Sequence, residues 1–221
     1  PVTYVLTHDS VAVGEDGPTH QPIEHEMQIR LLEHLHNHQG ERSVLVLRPA
    51  DGAETVEAWK LAMEQQKPVA MIPSRQNIKD LPAASGNRRA EAEGLRKGGY
   101  VVCDSPNAKA VLIASGSEVS TLVEGAELLK AEGIEVRIVS VPSEGLFRDQ
   151  SVDYQRSVLP EGLPRYGMTA GLPLSLEGLV GVGGRIHGVD HFGYSAPYKV
   201  LDEKFGFNGT TVAAEVKEML G

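Results

Sequence analysis

Short runs of apolar residues alternate along this chain with longer stretches of helical periodicity, and that order restricts the fold to sheets of mostly parallel strands joined through helices. Thr3–Thr7 reads as a buried parallel strand, Ser43–Leu47 as a strand covered on both faces, and Val69–Ile72 as a third. Between them Ile23–His38 reads as a helix whose Ile23, Met27, Leu31 and Leu35 fall near one stripe, widened by Ile29 and Leu32. Ala53–Gln66 carries helical spacing at Val56, Trp59, Lys60 and Met63. Strand, helix, strand in this order implies right-handed crossovers.

A second unit repeats the theme. Tyr100–Asp104 and Ala110–Ala114 read as strands, Glu118–Ala131 as a helix with Val119, Leu122, Ala126 and Leu129 near one face, and Val136–Val141 as the next strand. Glu144–Leu159 is irregular or partly helical, Arg165–Thr169 and Arg185–Val189 are short strands, and helices near Ser195–Phe205 and Val212–Leu220 close the fold. From Arg75 to Gly99 apolar density collapses while Pro82, Ser85, Gly86 and Asn87 accumulate, so this stretch reads as a linker with Arg88–Arg89 and Arg96–Lys97 as a solvated basic patch balanced by Glu91 and Glu93. The expected class is α/β: two consecutive α/β units with mostly parallel sheets, over residues 1–79 and 99–221, joined by a linker over 80–98. A length of 221 residues can bury one large or two modest cores.

The segment after the first strand has no apolar periodicity at all. His8-Asp9 and the run Gly14-Glu15-Asp16-Gly17-Pro18-Thr19-His20-Gln21-Pro22 crowd two imidazoles and three carboxylates onto a stretch interrupted by glycine and proline. Buried as helix or strand, too many of these groups would lack partners, so the stretch is a loop. It leaves the carboxyl end of a strand, where open α/β sheets bind ligands. Histidine gains and loses its proton near neutrality, which suits His8 and His20 to proton transfer, although either ring could simply tie the loop to its backbone. Asp16 is open to two readings as well, a local side-chain turn or a ligand contact; Glu15 reads as structural. Arg75, in Ser74-Arg75-Gln76-Asn77 after another buried strand, carries the paired donors that match phosphate.

The blocks THDSVAVGEDGPTHQPIEH, LRPADGAETVEAWKLAME, PSRQNI, GGYVV, ASGSEVSTLVEGAELL and VDHFGYSAPYKVL, in this order along nearly the whole chain, resemble transketolases, the thiamine-diphosphate enzymes that move two-carbon ketol units between sugar phosphates. The resemblance implies part of a pyrimidine-binding domain over 1–79 and the carboxyl-terminal domain over 99–221. It implies that His8 and Arg75 hold the sugar phosphate, that Asp16 accepts a hydrogen bond from a hydroxyl beside the reacting carbon, and that His20 moves protons near the reacting carbons. It implies thiamine diphosphate with magnesium or calcium in the full-length enzyme, whose diphosphate site and activating glutamate lie in family regions with no counterpart in these residues. No cofactor-binding or metal-binding residue is therefore expected here, and the chain by itself is expected to be inactive. The remainder of the polypeptide, sugar phosphates and a second copy in a homodimer are the implied partners. Pro1 is not an initiator and a strand follows almost at once, which fits a carboxyl-terminal portion of a longer protein. The run Glu26–Arg42 is longer and more charged than in many members, and His191 stands where others often carry arginine. A deoxyxylulose-phosphate synthase or a ketoacid dehydrogenase β component would share the architecture, but GEDGPTHQP with SRQN favours transketolase; a non-catalytic assembly or regulatory module is the reading from a different class.

Several other features are bland. Cys103 is the only cysteine, so no intrachain disulfide forms, and its strand setting fits an inert thiol. His34, His36 and His38 would spread over different helix faces rather than converge on zinc. Gly181–Arg185 lacks both dinucleotide and phosphate-loop spacing, and Ser117 is explained as a helix N-cap. A formal charge of −9 argues against nucleic-acid or anionic-membrane partners, and no run approaches a membrane span, so the cytoplasm is the expected compartment.

Overall fold

Backbone hydrogen bonding sorts the apolar runs into two sheets in the computed structural model, which describes residues 1–221. The first unit contains β1 (Thr3–Val5), α1 (His25–Leu31) extended by a 3₁₀ turn over Leu32–His34, β2 (Leu45–Leu47), α2 (Gly52–Glu64) and β3 (Val69–Met71). The connection carries α3 (Arg88–Ala92) and a 3₁₀ turn over Glu93–Lys97. The second unit runs β4 (Tyr100–Cys103), β5 (Ala110–Ala114), α4 (Glu118–Ala131), β6 (Val136–Ser140), α5 (Glu144–Arg148), α6 (Val152–Val158), β7 (Arg165–Met168), α7 (Glu177–Val180), β8 (Arg185–His187), α8 (Tyr198–Phe205) and α9 (Gly209–Leu220). Sheet order is β1-β3-β2, all parallel, and β4-β6-β5-β7-β8, in which only β4 runs antiparallel. Every residue of β5 is buried because helices cover both faces: Leu112 faces Val119, Leu122, Val212 and Val216, while Val111 and Ile113 face Phe147, Val158 and Leu179.

Three expectations are corrected in the first unit. β1 pairs only with β3 and forms the sheet edge, so it is not buried: Tyr4 is 55% exposed, and Val5 and Leu6 are exposed too. Around α1 the expected apolar stripe is inward only in part: Ile23 is buried and Ile29 packs on the first sheet. Glu26, Arg30 and Glu33 are buried, whereas Leu31, Leu32 and Leu35 are exposed, Leu35 at 59%. In α2 the stripe Val56, Trp59 and Met63 points outward, Met63 at 81%, and the small face Ala58, Leu61 and Ala62 packs on Leu45, Leu47, Val69 and Met71.

Electrostatics explains the buried charges of α1. Arg48, at the carboxyl end of β2, is wholly buried between the two units. Its Nη2 donates to the Asp9 carbonyl at 2.9 Å and to Asp9 Oδ2 at 3.1 Å; its Nη1 lies 2.6 Å from Glu118 Oε2, 2.9 Å from the Ser115 carbonyl and 3.6 Å from Glu26 Oε2. Glu26 in turn accepts from Arg30 Nε at 2.8 Å, so α1 must turn its charged side inward to meet the guanidinium. Glu33 follows, accepting from Val46 N at 2.9 Å and reaching Ser143 and Gly145 in the second unit. Burial pushes the Glu118 carboxyl up to about 7 and Asp9 adds to the shift, with Arg48 opposing both. Burial works against the Arg48 charge, but Glu118, Glu26 and Asp9 outweigh it and the guanidinium pKa is raised. Gly116 has φ +60° and an added Cβ would stand 2.6 Å from Arg48 Nε, so the turn into α4 needs glycine to let the arginine pass.

The connecting segment is also more built than its composition suggests. Leu81, Ala92 and Leu95 are buried. Arg88 and Arg96 are not a solvated patch: Arg88 Nε donates to Asp51 at 2.6 Å and its Nη2 to Tyr100 at 2.7 Å, and Arg96 grips Glu64 at 2.8 and 2.9 Å. The carboxylates of α2 draw these cations in. Glu54, buried on α2, accepts from Tyr100 Oη at 2.6 Å and Ser140 Oγ at 2.8 Å, a second polar tie between the sheets.

Arg48→Ala leaves three buried carboxylates without their shared cation and is expected to cost about 3–5 kcal/mol in urea unfolding. Burial already holds the Glu118 carboxyl up at about 7 against the opposing pull of Arg48; without the arginine it rises further in the folded state, so the loss should grow from about pH 5 to about pH 8, because the unfolded state sheds this proton more readily. A loss below about 1 kcal/mol at both pH values would show that the network is not what joins the units.

Candidate active site

Parallel pairing of β1 with β3 puts two carboxyl ends side by side, and the candidate residues sit on the loops that leave them. The chain from β1 passes through His8 and Asp9 into a 3₁₀ turn, Val11–Val13, whose N-cap Ser10 accepts from Ala12 N at 3.3 Å. The chain from β3 leads to Ser74 and Arg75. Asp16 Oδ2 lies 3.3 Å from Arg75 Nη1 and 3.6 Å from His8 Nε2. Arg75 reaches Asp16 from 59 residues away and His8 from the start of the same loop, and the Asp16 carboxylate makes no local turn. All three side chains remain between 37% and 53% exposed, so the triplet faces solvent rather than the core.

His8 and Asp9 point opposite ways. Asp9 is buried, and its Oδ2 accepts from Ser74 Oγ at 2.8 Å and Ser117 Oγ at 3.0 Å as well as from Arg48, which fixes the root of the loop and leaves His8 outside. Ser117 is therefore not the side-chain N-cap of α4; no capping hydrogen bond forms there and its hydroxyl serves Asp9 and Glu118. His20 forms no hydrogen bond or ion pair with Asp16 or Arg75. It lines a cleft of about 240 Å³ together with His8, Leu6, Asp9, Pro22, His25, Glu26, Ile29 and Ile72, so the two imidazoles share one opening. Glu15 contributes its carbonyl, which accepts from Ser195 Oγ at 3.0 Å.

Chemically, the surface offers a guanidinium and an imidazole for an anion, a carboxylate between them for a hydroxyl, and a second imidazole a short way along the cleft. No group of three His, Cys, Asp or Glu side chains in the chain is arranged to hold a metal ion. Asp9 and Glu26, the acids nearest the cleft, are bound to Arg48. These residues do not fit a metal-bound diphosphate. Cys103 lies on β4, half-buried, and burial pushes its thiol pKa up, away from nucleophilic character. Sequence reading missed Asp9, Ser74 and Arg48 as the support beneath the site. Only the placement of Arg48 at the end of a fully apolar strand hinted at it.

Comparison with known proteins places this geometry in a family setting. Residues 1–80 match the transketolase pyrimidine binding domain and residues 98–208 the transketolase-like C-terminal domain. The transketolase of Geobacillus stearothermophilus is 42% identical over 225 residues, an alignment covering 100% of this chain and 32% of that protein. A crystal structure of a Pichia stipitis transketolase complex with sedoheptulose-7-phosphate superposes with a TM-score of 0.82 at 33% identity, covering 100% of this chain and 30% of that one. A split-gene transketolase described as an inactive β4 tetramer shares the fold, with a TM-score of 0.67 at 24% identity over 99% of this chain and 66% of its own. The chain spans about a third of the length of the curated relatives it matches.

Exposed ion pairs contribute little to stability, so Asp16→Ala and Arg75→Ala should each change the unfolding free energy by less than about 1 kcal/mol in urea titrations. A loss above about 2 kcal/mol would mean that the Asp16 carboxylate holds the loop together and is not free for a ligand.

Proposed function

The chain belongs to the transketolase family, and we propose that it forms the sugar-phosphate side of a transketolase active site. The parent enzyme then transfers a two-carbon glycolaldehyde unit from a ketose phosphate to an aldose phosphate, a reaction of the pentose phosphate pathway. The observation that carries this reading is Asp16 standing between Arg75 and His8 where two neighbouring parallel strands end. Arg75, always charged, takes the terminal phosphate, with His8 as second donor. Asp16, half-exposed beside them, accepts from a substrate hydroxyl and so reads configuration. His20, further along the cleft shared with His8, holds and moves the proton at the reacting carbons.

Thiamine diphosphate with magnesium or calcium supplies the electron sink in this chemistry. The acids that line the cleft, Asp9 and Glu26, are committed to Arg48, and we assign the diphosphate site to the rest of the transketolase polypeptide. That polypeptide and a second copy in a homodimer are the partners we assign. The unpaired edge of β1 and the outward Leu31, Leu32, Leu35, Trp59 and Met63 support extensive protein contacts. No helix is long and apolar enough to cross a membrane, and the charge of −9 supports an absence of nucleic-acid partners; a cytoplasmic setting is part of the same proposal.

Two measurements test the reading. In the holoenzyme that contains this chain, Arg75→Ala should lower kcat/KM for phosphorylated sugars about ten- to a hundredfold while sparing their unphosphorylated counterparts, as expected for one charge-assisted contact. Equal losses on both would remove Arg75 from phosphate recognition. The 221-residue chain alone should bind thiamine diphosphate and magnesium too weakly for calorimetry to resolve and show no ketol transfer; micromolar binding by this chain would contradict a cofactor site built elsewhere.

A further inference from the structure

The loop that carries Asp16 and His20 has no regular structure beyond its 3₁₀ turn, yet it is gripped from a distant part of the chain. Residues 193–195 lie against it. Gly193 N donates to the Pro18 carbonyl at 2.8 Å, Gln21 Nε2 donates to the Tyr194 carbonyl at 2.8 Å, and Ser195 Oγ donates to the Glu15 carbonyl at 3.0 Å. The three bonds bracket both functional side chains, since Asp16 lies between the held carbonyls of Glu15 and Pro18, and His20 between Pro18 and Gln21. The fit is close: a Cβ added at 193 would run into the Gln21 side-chain amide, so a side chain there must displace the amide that donates to Tyr194. The gripping segment is itself anchored. The His191 ring stacks on Phe205 with centroids 5.7 Å apart, Tyr194 meets the same ring at 5.6 Å, and Lys204 Nζ sits 4.1 Å over Tyr194.

We propose that residues 193–195 of the carboxyl-terminal unit are a positioning clamp for the reaction loop. Gly193, Ser195 and Gln21 set where Asp16 and His20 stand, and His191 acts through Phe205 to hold the clamp rather than by touching substrate. A preorganised loop matters because misplacement of a catalytic group by about 1 Å can cost a hundredfold in rate. Arg75 and His8 leave other points of the backbone and meet the clamped loop through the Asp16 carboxylate, so phosphate binding depends on the clamp less directly than Asp16 and His20 do. The inference rests on the reading of Asp16 and His20 as substrate-facing groups.

Ser195→Ala, Ser195→Thr and Gly193→Ala in the holoenzyme test it by two readouts, hydrogen exchange of the amides over residues 14–21 and the split between kcat and KM. Ser195→Ala is expected to speed exchange across the loop and lower kcat by about tenfold, with KM for phosphorylated substrate changed less than about twofold, as for one lost hydrogen bond that acts on the transition state. Gly193→Ala should do more, and Ser195→Thr, which keeps the hydroxyl, should restore both readouts. Unchanged exchange in Ser195→Ala overturns the clamp, as does a loosened loop with full kcat. Should the unsubstituted holoenzyme lack ketol transfer, the functional reading falls and exchange alone decides: protection that depends on Ser195 retains the clamp, and protection that does not discards it.

Discussion

Arg48 is the interaction on which the arrangement depends. A guanidinium with no solvent contact must be surrounded by acceptors, and here they come from the first loop, α1, the turn before α4 and α4 itself. Three segments separated in sequence are thereby drawn to the end of the strand that carries the arginine. Apolar packing alone would permit the two sheets to slide against each other, since hydrophobic burial has little directional preference; five donors in a fixed plane do not.

That requirement propagates outward. It rotates α1 so that Glu26 and Arg30 lie beneath and its leucines lie outside, and it pins Asp9 so that the adjacent His8 is presented to solvent. The half-exposed triplet of His8, Asp16 and Arg75 is consequently mounted on a buried ionic floor, one residue away in sequence and opposite in character. A site that must exchange ligands with water while keeping its geometry is well served by such a division, in which rigidity belongs to the buried layer and chemistry to the exposed one.

Much of the fold was legible because helix and strand periods are local properties. β5 and α4 fall on Ala110–Ala114 and Glu118–Ala131, the same bounds that apolar runs and spacing indicate. Orientation was not legible where charge overrode hydrophobicity: nothing in the run Ile23–His38 reveals that a distant arginine will claim Glu26, and nothing in Val56, Trp59 and Met63 reveals that alanines opposite them fit the sheet more closely. The candidate residues could be named from the polar loop and from family resemblance, and Asp16, Arg75 and His8 do lie together. Their support could not be named. Contacts such as Ser117 to Asp9 join residues 108 positions apart and leave no local signature.

Separation along the chain also has a meaning in time. The hydroxyl of Ser195 reaches a carbonyl 180 residues earlier, and Gln21 reaches a carbonyl 173 residues later. During synthesis the polar loop emerges long before the strand of chain that grips it, and closing so long a loop is a late event in folding. The grip exists only where the second unit is in place, so a truncated or misfolded carboxyl-terminal half leaves the loop without it even where every residue on it is intact.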